Sequence, residues 1–272
     1  MDYTKSRINL MSGNYTNMKQ LIFLASLIIS TISQSIAQKD GDVFKTNNGD
    51  ITIYPILHGT LAIQWQDKTI YFDPYGGAEV FTGLPDPDLV LITDIHGDHH
   101  NQETLNALNL GNSTLVVPQA VKDKLPKNYN DKVNAIITIG NGADMKVSGI
   151  NIEALPMYNL PPDENARHTK GRGNGYVLTI ADKRIYISGD TEDIPEMRSL
   201  KNIDIAFVCM NMPYTMDVEQ ASSAVLEFQP KVVYPYHYRG GGGKFSNVEK
   251  FKELVNKGKG SIEVRLKNWY PN

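Results

Sequence analysis

Cysteine is almost missing from this chain. Cys209 is the one thiol in 272 residues, so no disulfide can form within the chain. It sits in the apolar stretch 203–209, which predicts a packed, inert thiol and not a nucleophile. An excess of positive charge is missing too. Lys and Arg number 27 against 30 Asp and Glu, a net charge of −3, and a nucleic-acid partner would require a basic face. No apolar run reaches the roughly 20 residues of a membrane-spanning helix. There is no Gly-x-Ser-x-Gly elbow for a serine nucleophile, no repeat of solenoid period and no low-complexity linker.

The longest apolar run, residues 21–33, follows Lys19 and precedes Ser35-Ile36-Ala37. A charged start, a short apolar middle and small residues at the exit read as a secretory signal peptide cleaved after Ala37. The expected organisation is therefore a signal peptide over residues 1–37 and a single domain over 38–272. Met18 is the natural start on this reading, and residues 1–17 are an over-called extension. The mature product is expected in the periplasm or outside a bacterial cell, with no stable membrane insertion.

Strand patterns come first along the mature chain, at 51–56, 61–65, 69–73 and 88–92, separated by turn residues such as His58-Gly59 and Gln66-Asp67. Helical patterns at 102–108 and 119–125 flank a strand at 114–117. Strand character returns at 135–139, 145–155, 176–180 and 184–188. Asp217-x-x-Gln220 reads as a capping box for a helix whose Val218, Ala221, Val225 and Phe228 share a face. Ser246-x-x-Glu249 is expected to cap a second helix, with strands at 231–234 and 262–266 around it. Two groups of strands with interleaved helices predict an α/β fold of four layers: an αββα sandwich in which two packed mixed β-sheets are flanked by helices.

Three of the six histidines crowd into Asp94-Ile95-His96-Gly97-Asp98-His99-His100, just after the apolar strand at 88–92. Four potential ligands within six residues, on a loop leaving a strand end, can converge on a divalent cation, since imidazole suits zinc and carboxylates add charge and hardness. A solvated polar loop would explain one histidine but not this density.

This segment resembles the His-x-His-x-Asp-His signature of the metallo-β-lactamase superfamily. His168-Thr169-Lys170-Gly171, Ser188-Gly189-Asp190-Thr191 and His237 resemble the later motifs of that family, in the same order, and Asp73-Pro74 also fits. The wording of residues 156–159, 168–176, 194–197 and 214–217 is similar to a branch of bacterial hydrolases related to ascorbate-phosphate lactonase. The resemblance implies two divalent metal ions. One would be held by Asp94, His96 and His168, the other by Asp98, His99 and His237, with Asp190 bridging. Asp94 departs from the pattern, because the family has a histidine there. Zinc is then the leading metal, and the harder carboxylate admits manganese or iron. The implied reaction is hydrolysis by a metal-activated water, with Asp98 or Asp190 accepting a proton.

His58 is balanced between a structural and a site role, and His100 is expected beside the ligands and not among them. Arg167, Lys170, Arg172, Arg239 and Lys244 flank His168 and His237, and their charge would favour an anionic small-molecule substrate. Asn159, Arg172, Tyr238 and Arg239 are the candidate substrate contacts. The rival expectation is a non-catalytic binding protein on a degraded scaffold. A di-iron redox centre would want glutamate in place of His96.

Overall fold

The computed structural model describes residues 40–271. The signal peptide expected over residues 1–37 lies outside them. Two seven-stranded mixed sheets make up the fold, and each contains the first or second half of the strands in chain order. The first holds β1 (Asp42–Phe44), β2 (Ile51–Leu57), β3 (Thr60–Trp65), β4 (Lys68–Phe72), β5 (Leu89–Leu91), β6 (Thr114–Val117) and β7 (Ala135–Thr138). The second holds β8 (Asp144–Val147), β9 (Ile150–Met157), β10 (Gly173–Ile180), β11 (Lys183–Ile187), β12 (Ile205–Cys209), β13 (Val232–Tyr236) and β14 (Glu263–Val264).

Each sheet is built the same way. β1 to β4 pair antiparallel and β5 to β7 then add in parallel. β8 to β11 pair antiparallel and β12 to β14 then add in parallel. Parallel neighbours need crossovers, which the five helices supply at five of the six parallel pairings. These are α1 (Gln102–Ala107), α2 (Gln119–Lys122), α3 (Pro195–Arg198), α4 (Val218–Phe228) and α5 (Val248–Gly258), each joining two parallel strands.

Period-two alternation explains why the first sheet's strands read as nearly continuous apolar runs. Ile51, Ile53, Leu61, Ile63, Ile70, Phe72, Leu89 and Leu91 join the central core with Ile152, Ala154, Tyr176, Leu178 and Ile187 of the second sheet. Their neighbours Tyr54, Ile56, Ala62, Tyr71, Val90 and Ile92 face the other way. They pack with Leu105 of α1, Val121 of α2 and Tyr129. On the second sheet's side, α4 buries Val218, Ala221, Val225 and Phe228, and α5 buries Phe251 and Val255. The αββα expectation therefore holds.

Local readings differ in four places. Residues 145–155 are not one strand but the hairpin β8–β9, because Ser148 (φ 51°) and Gly149 (φ 86°) form a turn with two left-handed residues. The Asp217–Gln220 capping box is present, but α5 is capped by Asn247, which accepts from the Lys250 N–H. Ser246 instead donates its hydroxyl to the Met210 carbonyl. Residues 119–125 shorten to the single turn α2. The last strand shrinks to Glu263–Val264, because the chain leaves the sheet and the His58 amide then bonds to the Trp269 carbonyl.

Candidate metal centre

Strand ends converge at one edge of the sandwich. Asp73 follows β4, residues 93–99 follow β5, Asp190 follows β11 and His237 follows β13, while His58 turns β2 into β3 and His168 lies ahead of β10. The carboxyl ends of parallel strands are where open α/β sheets form their crevices. His99, His168 and His237 are buried, as are Asp94 and Asp190.

Asp190 stands at the middle. Its Oδ2 lies 3.2 Å from His168 Nε2 and 3.4 Å from His99 Nε2, and its Oδ1 lies 3.5 Å from His237 Nε2. His99 Nε2 and His237 Nε2 face each other at 3.2 Å. Asp98 sits on the outer side, with Oδ2 3.4 Å from His237 Nε2 and Oδ1 3.9 Å from His99 Nε2. Asp94, His96 and His168 form a second grouping, with Asp94 Oδ2 2.8 Å from His96 Nδ1. Yet His96 Nδ1, His168 Nε2 and Asp190 Oδ1 have no aligned hydrogen-bond partner. Buried polar atoms that approach one another without bonding are expensive unless something else satisfies them. A donor set of imidazole nitrogens and carboxylate oxygens aimed at shared points fits divalent cations.

The surrounding groups aim these ligands. His99 Nδ1 lies 2.8 Å from Asp73 Oδ2, which also accepts from the Thr93 hydroxyl at 2.6 Å, while Asp73 Oδ1 accepts from the Thr93 amide at 2.7 Å. A carboxylate can only accept, so the Nδ1 proton is held there and Nε2 is turned to the centre. Burial would lower the His99 pKa, but Asp190, Asp73 and Asp98 outweigh it and raise it well above its ordinary value. Burial would likewise raise Asp190, yet His237, His99 and His168 hold it well below the carboxylate range. Asp98 is also held low, because His99, His237 and His58 outweigh its burial.

His58 belongs to the site. The Arg239 amide donates to the Tyr270 hydroxyl at 2.9 Å, and that hydroxyl lies 2.8 Å from His58 Nδ1. With its own proton given to Nδ1, Tyr270 leaves the imidazole proton on Nε2, which donates to Asp98 Oδ2 at 3.2 Å. Burial, the largest influence, lowers the His58 pKa to about 4, so the ring is neutral near pH 7. His100 is buried beside the ligands but lies outside their groupings.

Arg172 forms a fork with Asp94: Nε donates to Oδ1 at 3.0 Å and Nη2 to Oδ2 at 2.8 Å. Burial would raise Asp94, but the neighbouring His96 and the Arg172 fork outweigh it and bring its pKa to about 2. Two nitrogens of Arg172, an expected substrate contact, are thus committed to a site carboxylate. Asn159, another expected substrate contact, is engaged as well. Its Oδ1 accepts from the His168 amide at 2.9 Å, and its Nδ2 donates to Glu192 at 3.0 Å and to the Tyr214 carbonyl at 2.8 Å. It positions His168 and has no amide proton left for a substrate. Tyr238 turns its hydroxyl to the Lys267 carbonyl. Arg239 lies over the Tyr270 ring at 4.9 Å and Arg167 over Tyr214 at 4.2 Å. Neither arginine has a carboxylate partner among the described residues.

A family model described as the beta-lactamase superfamily domain matches residues 52–237, from β2 through the last site histidine. The chain belongs to the β-lactamase superfamily. Within it, the UPF0173 metal-dependent hydrolase of Thermococcus onnurineus is 30% identical over 202 residues, covering 69% of this chain and 85% of that protein. The corresponding Staphylococcus carnosus protein is 29% identical over 217 residues, covering 76% and 94%. A solved structure from Parabacteroides distasonis, assigned to the metal-dependent hydrolases, superposes with a TM-score of 0.71 at 37% identity, covering 85% of this chain and all of that one. This superfamily member is accordingly a metal-dependent hydrolase. Tyr270, which orients His58, lies beyond the residues that the superfamily model matches.

Proposed function

We propose that this chain is an exported hydrolase that cleaves a small anionic ester, lactone, amide or phosphoester with two bound dications. One dication would be held by Asp94, His96 and His168 and the other by Asp98, His99 and His237, with Asp190 between them. The observation that carries this reading is the convergence of three imidazole nitrogens on Asp190 at 3.2–3.5 Å, with His168 Nε2 and Asp190 Oδ1 lacking hydrogen-bond partners. Dications bound there would acidify a water toward neutral pH and stabilise negative charge developing on a carbonyl or phosphoryl oxygen. Zinc suits the imidazole-rich position, and manganese or iron suits the position with Asp94.

The chain's own groups divide the remaining work. Asp98 is a third exposed, whereas the Asp190 side chain is 4% exposed, so Asp98 is the carboxylate that can receive a proton and pass it to solvent. His58 Nε2–H steadies Asp98 for that role. Arg167 and Arg239 supply positive charge without a carboxylate partner, which supports an anionic substrate. Lys170 adds little, because it is paired with Glu196 at 2.7 Å.

Metal analysis of protein purified without added metal tests the reading, together with turnover of an ester, lactone and phosphoester panel. Two dications per chain are expected, and Asp190→Ala should lose metal and turnover together. A wild-type protein that takes up no dication would instead favour a non-catalytic binding protein on this scaffold. Export is tested by intact mass in the native host, where Gln38 is the expected first residue. A mature chain that retains residues 21–33 would refute cleavage.

A further inference from the structure

Asp94 puts a buried carboxylate where an imidazole would be neutral, and Arg172 is locked onto it. The lock is built into the backbone. The Thr93 carbonyl accepts from the Asn174 amide at 2.9 Å, and a Cβ at Gly173 would come within 2.7 Å of that same oxygen. Only glycine lets the start of β10 approach this closely, and the approach delivers the adjacent Arg172 to Asp94. The fork uses one side of the carboxylate. On the other side Oδ2 lies 2.8 Å from His96 Nδ1, which has no aligned partner, and the same grouping takes in His168.

We propose that Asp94 and Arg172 act together as a charge-neutral oxygen ligand, so that Arg172 sets which dication the Asp94–His96–His168 position prefers. This rests on the metal reading above. A carboxylate alone would raise the negative charge of the three site aspartates and bind any dication more tightly. The guanidinium cancels that added charge and draws electron density from Oδ2, while the donor atom remains a hard oxygen. The pair is therefore equal in charge to an imidazole but harder, which weakens the preference for zinc over manganese.

The test is titration calorimetry of Mn2+ and Zn2+ alone into metal-stripped protein, with thermal unfolding of each stripped variant as the second readout. Arg172→Met leaves Asp94 uncompensated, so Mn2+ affinity should rise at least tenfold while the stripped protein melts lower. Arg172→Lys keeps the charge without the fork and should stay within about threefold of wild type. Asp94→His alone leaves an unpaired cation at the site and should weaken both metals at least tenfold. The double variant Asp94→His with Arg172→Met should recover binding and shift it toward Zn2+. Should Arg172→Met fail to fold, the Lys, Asp94→His and double variants still decide the matter. A pair that is only structural would lower melting temperatures but leave affinities within twofold and the double variant without recovery, and that result overturns the proposal. Wild-type protein that binds neither metal would overturn the metal reading itself, a separate and recognisable failure.

Discussion

Asp73→Asn isolates the role of a residue that touches no expected substrate. Asp73 is 1% exposed and accepts three hydrogen bonds, two from Thr93 and one from His99 Nδ1. Asparagine keeps the volume and tolerates the left-handed backbone at φ 44°. Its Oδ1 can still serve the Thr93 amide, but its Nδ2 is a donor facing His99 Nδ1. The imidazole must then accept there and carry its proton on Nε2, the atom that faces His237 and Asp190. Any cation would have to displace that proton or wait for the ring to turn. Loss of such an orienting partner lowers metal affinity about 10- to 100-fold, or about 1.4–2.7 kcal/mol. Replacing a charge-assisted bond by a neutral one in the core costs a further ~1–3 kcal/mol of stability, which thermal unfolding separates from the binding effect. Calorimetric Zn2+ titration is the assay. Affinity within twofold of wild type would refute the idea that Asp73 holds the His99 tautomer.

Three shorter predictions follow from the same geometry. Because the fold raises the pKa of His99, its imidazolium stabilises the metal-stripped protein fully below about pH 6.5, and that contribution is lost as pH rises through the folded value. Metal binding must expel the His99 proton, so calorimetry in buffers of different ionisation enthalpy should register more proton release below that pKa than above it. Tyr270→Phe frees the His58 tautomer and should lower kcat about tenfold with little change in KM, and an unchanged kcat would show that His58 does not steady Asp98. Cys209 is fully buried, and burial raises its pKa to about 11, so a thiol reagent at pH 8 should leave it unmodified until denaturant is added.

The ligand run at 94–99 was legible because its members are close in sequence, and a strand end can present them together. His168, Asp190 and His237 were expected through the family resemblance, since nothing in their local pattern alone singles them out as ligands. The helix α4 declared itself through its capping box and its spacing, and α1 through its helical pattern. What escaped notice depends on contacts between distant segments. Nothing near Arg172 announces Asp94 as its target, because that pairing follows from the backbone approach of Gly173 to Thr93. Asn159 looked like a substrate contact because its three partners, His168, Glu192 and Tyr214, lie on other loops. Basic residues around His168 read as one field of charge, whereas Lys170 and Arg172 are already paired. The shared construction of the two sheets was hidden as well, since pairing order is not written in local composition.

The hydroxyl of Tyr270 holds a ring 212 positions earlier in the chain, and that ring holds Asp98. A ribosome releases these residues in order, so a chain still lacking residue 270 presents Asp98 to water without its oriented donor. The last arrivals complete an environment whose ligands were made long before. Asp98 therefore gains its oriented donor only once residues 58 and 270 pack together, after the rest of the site has been made.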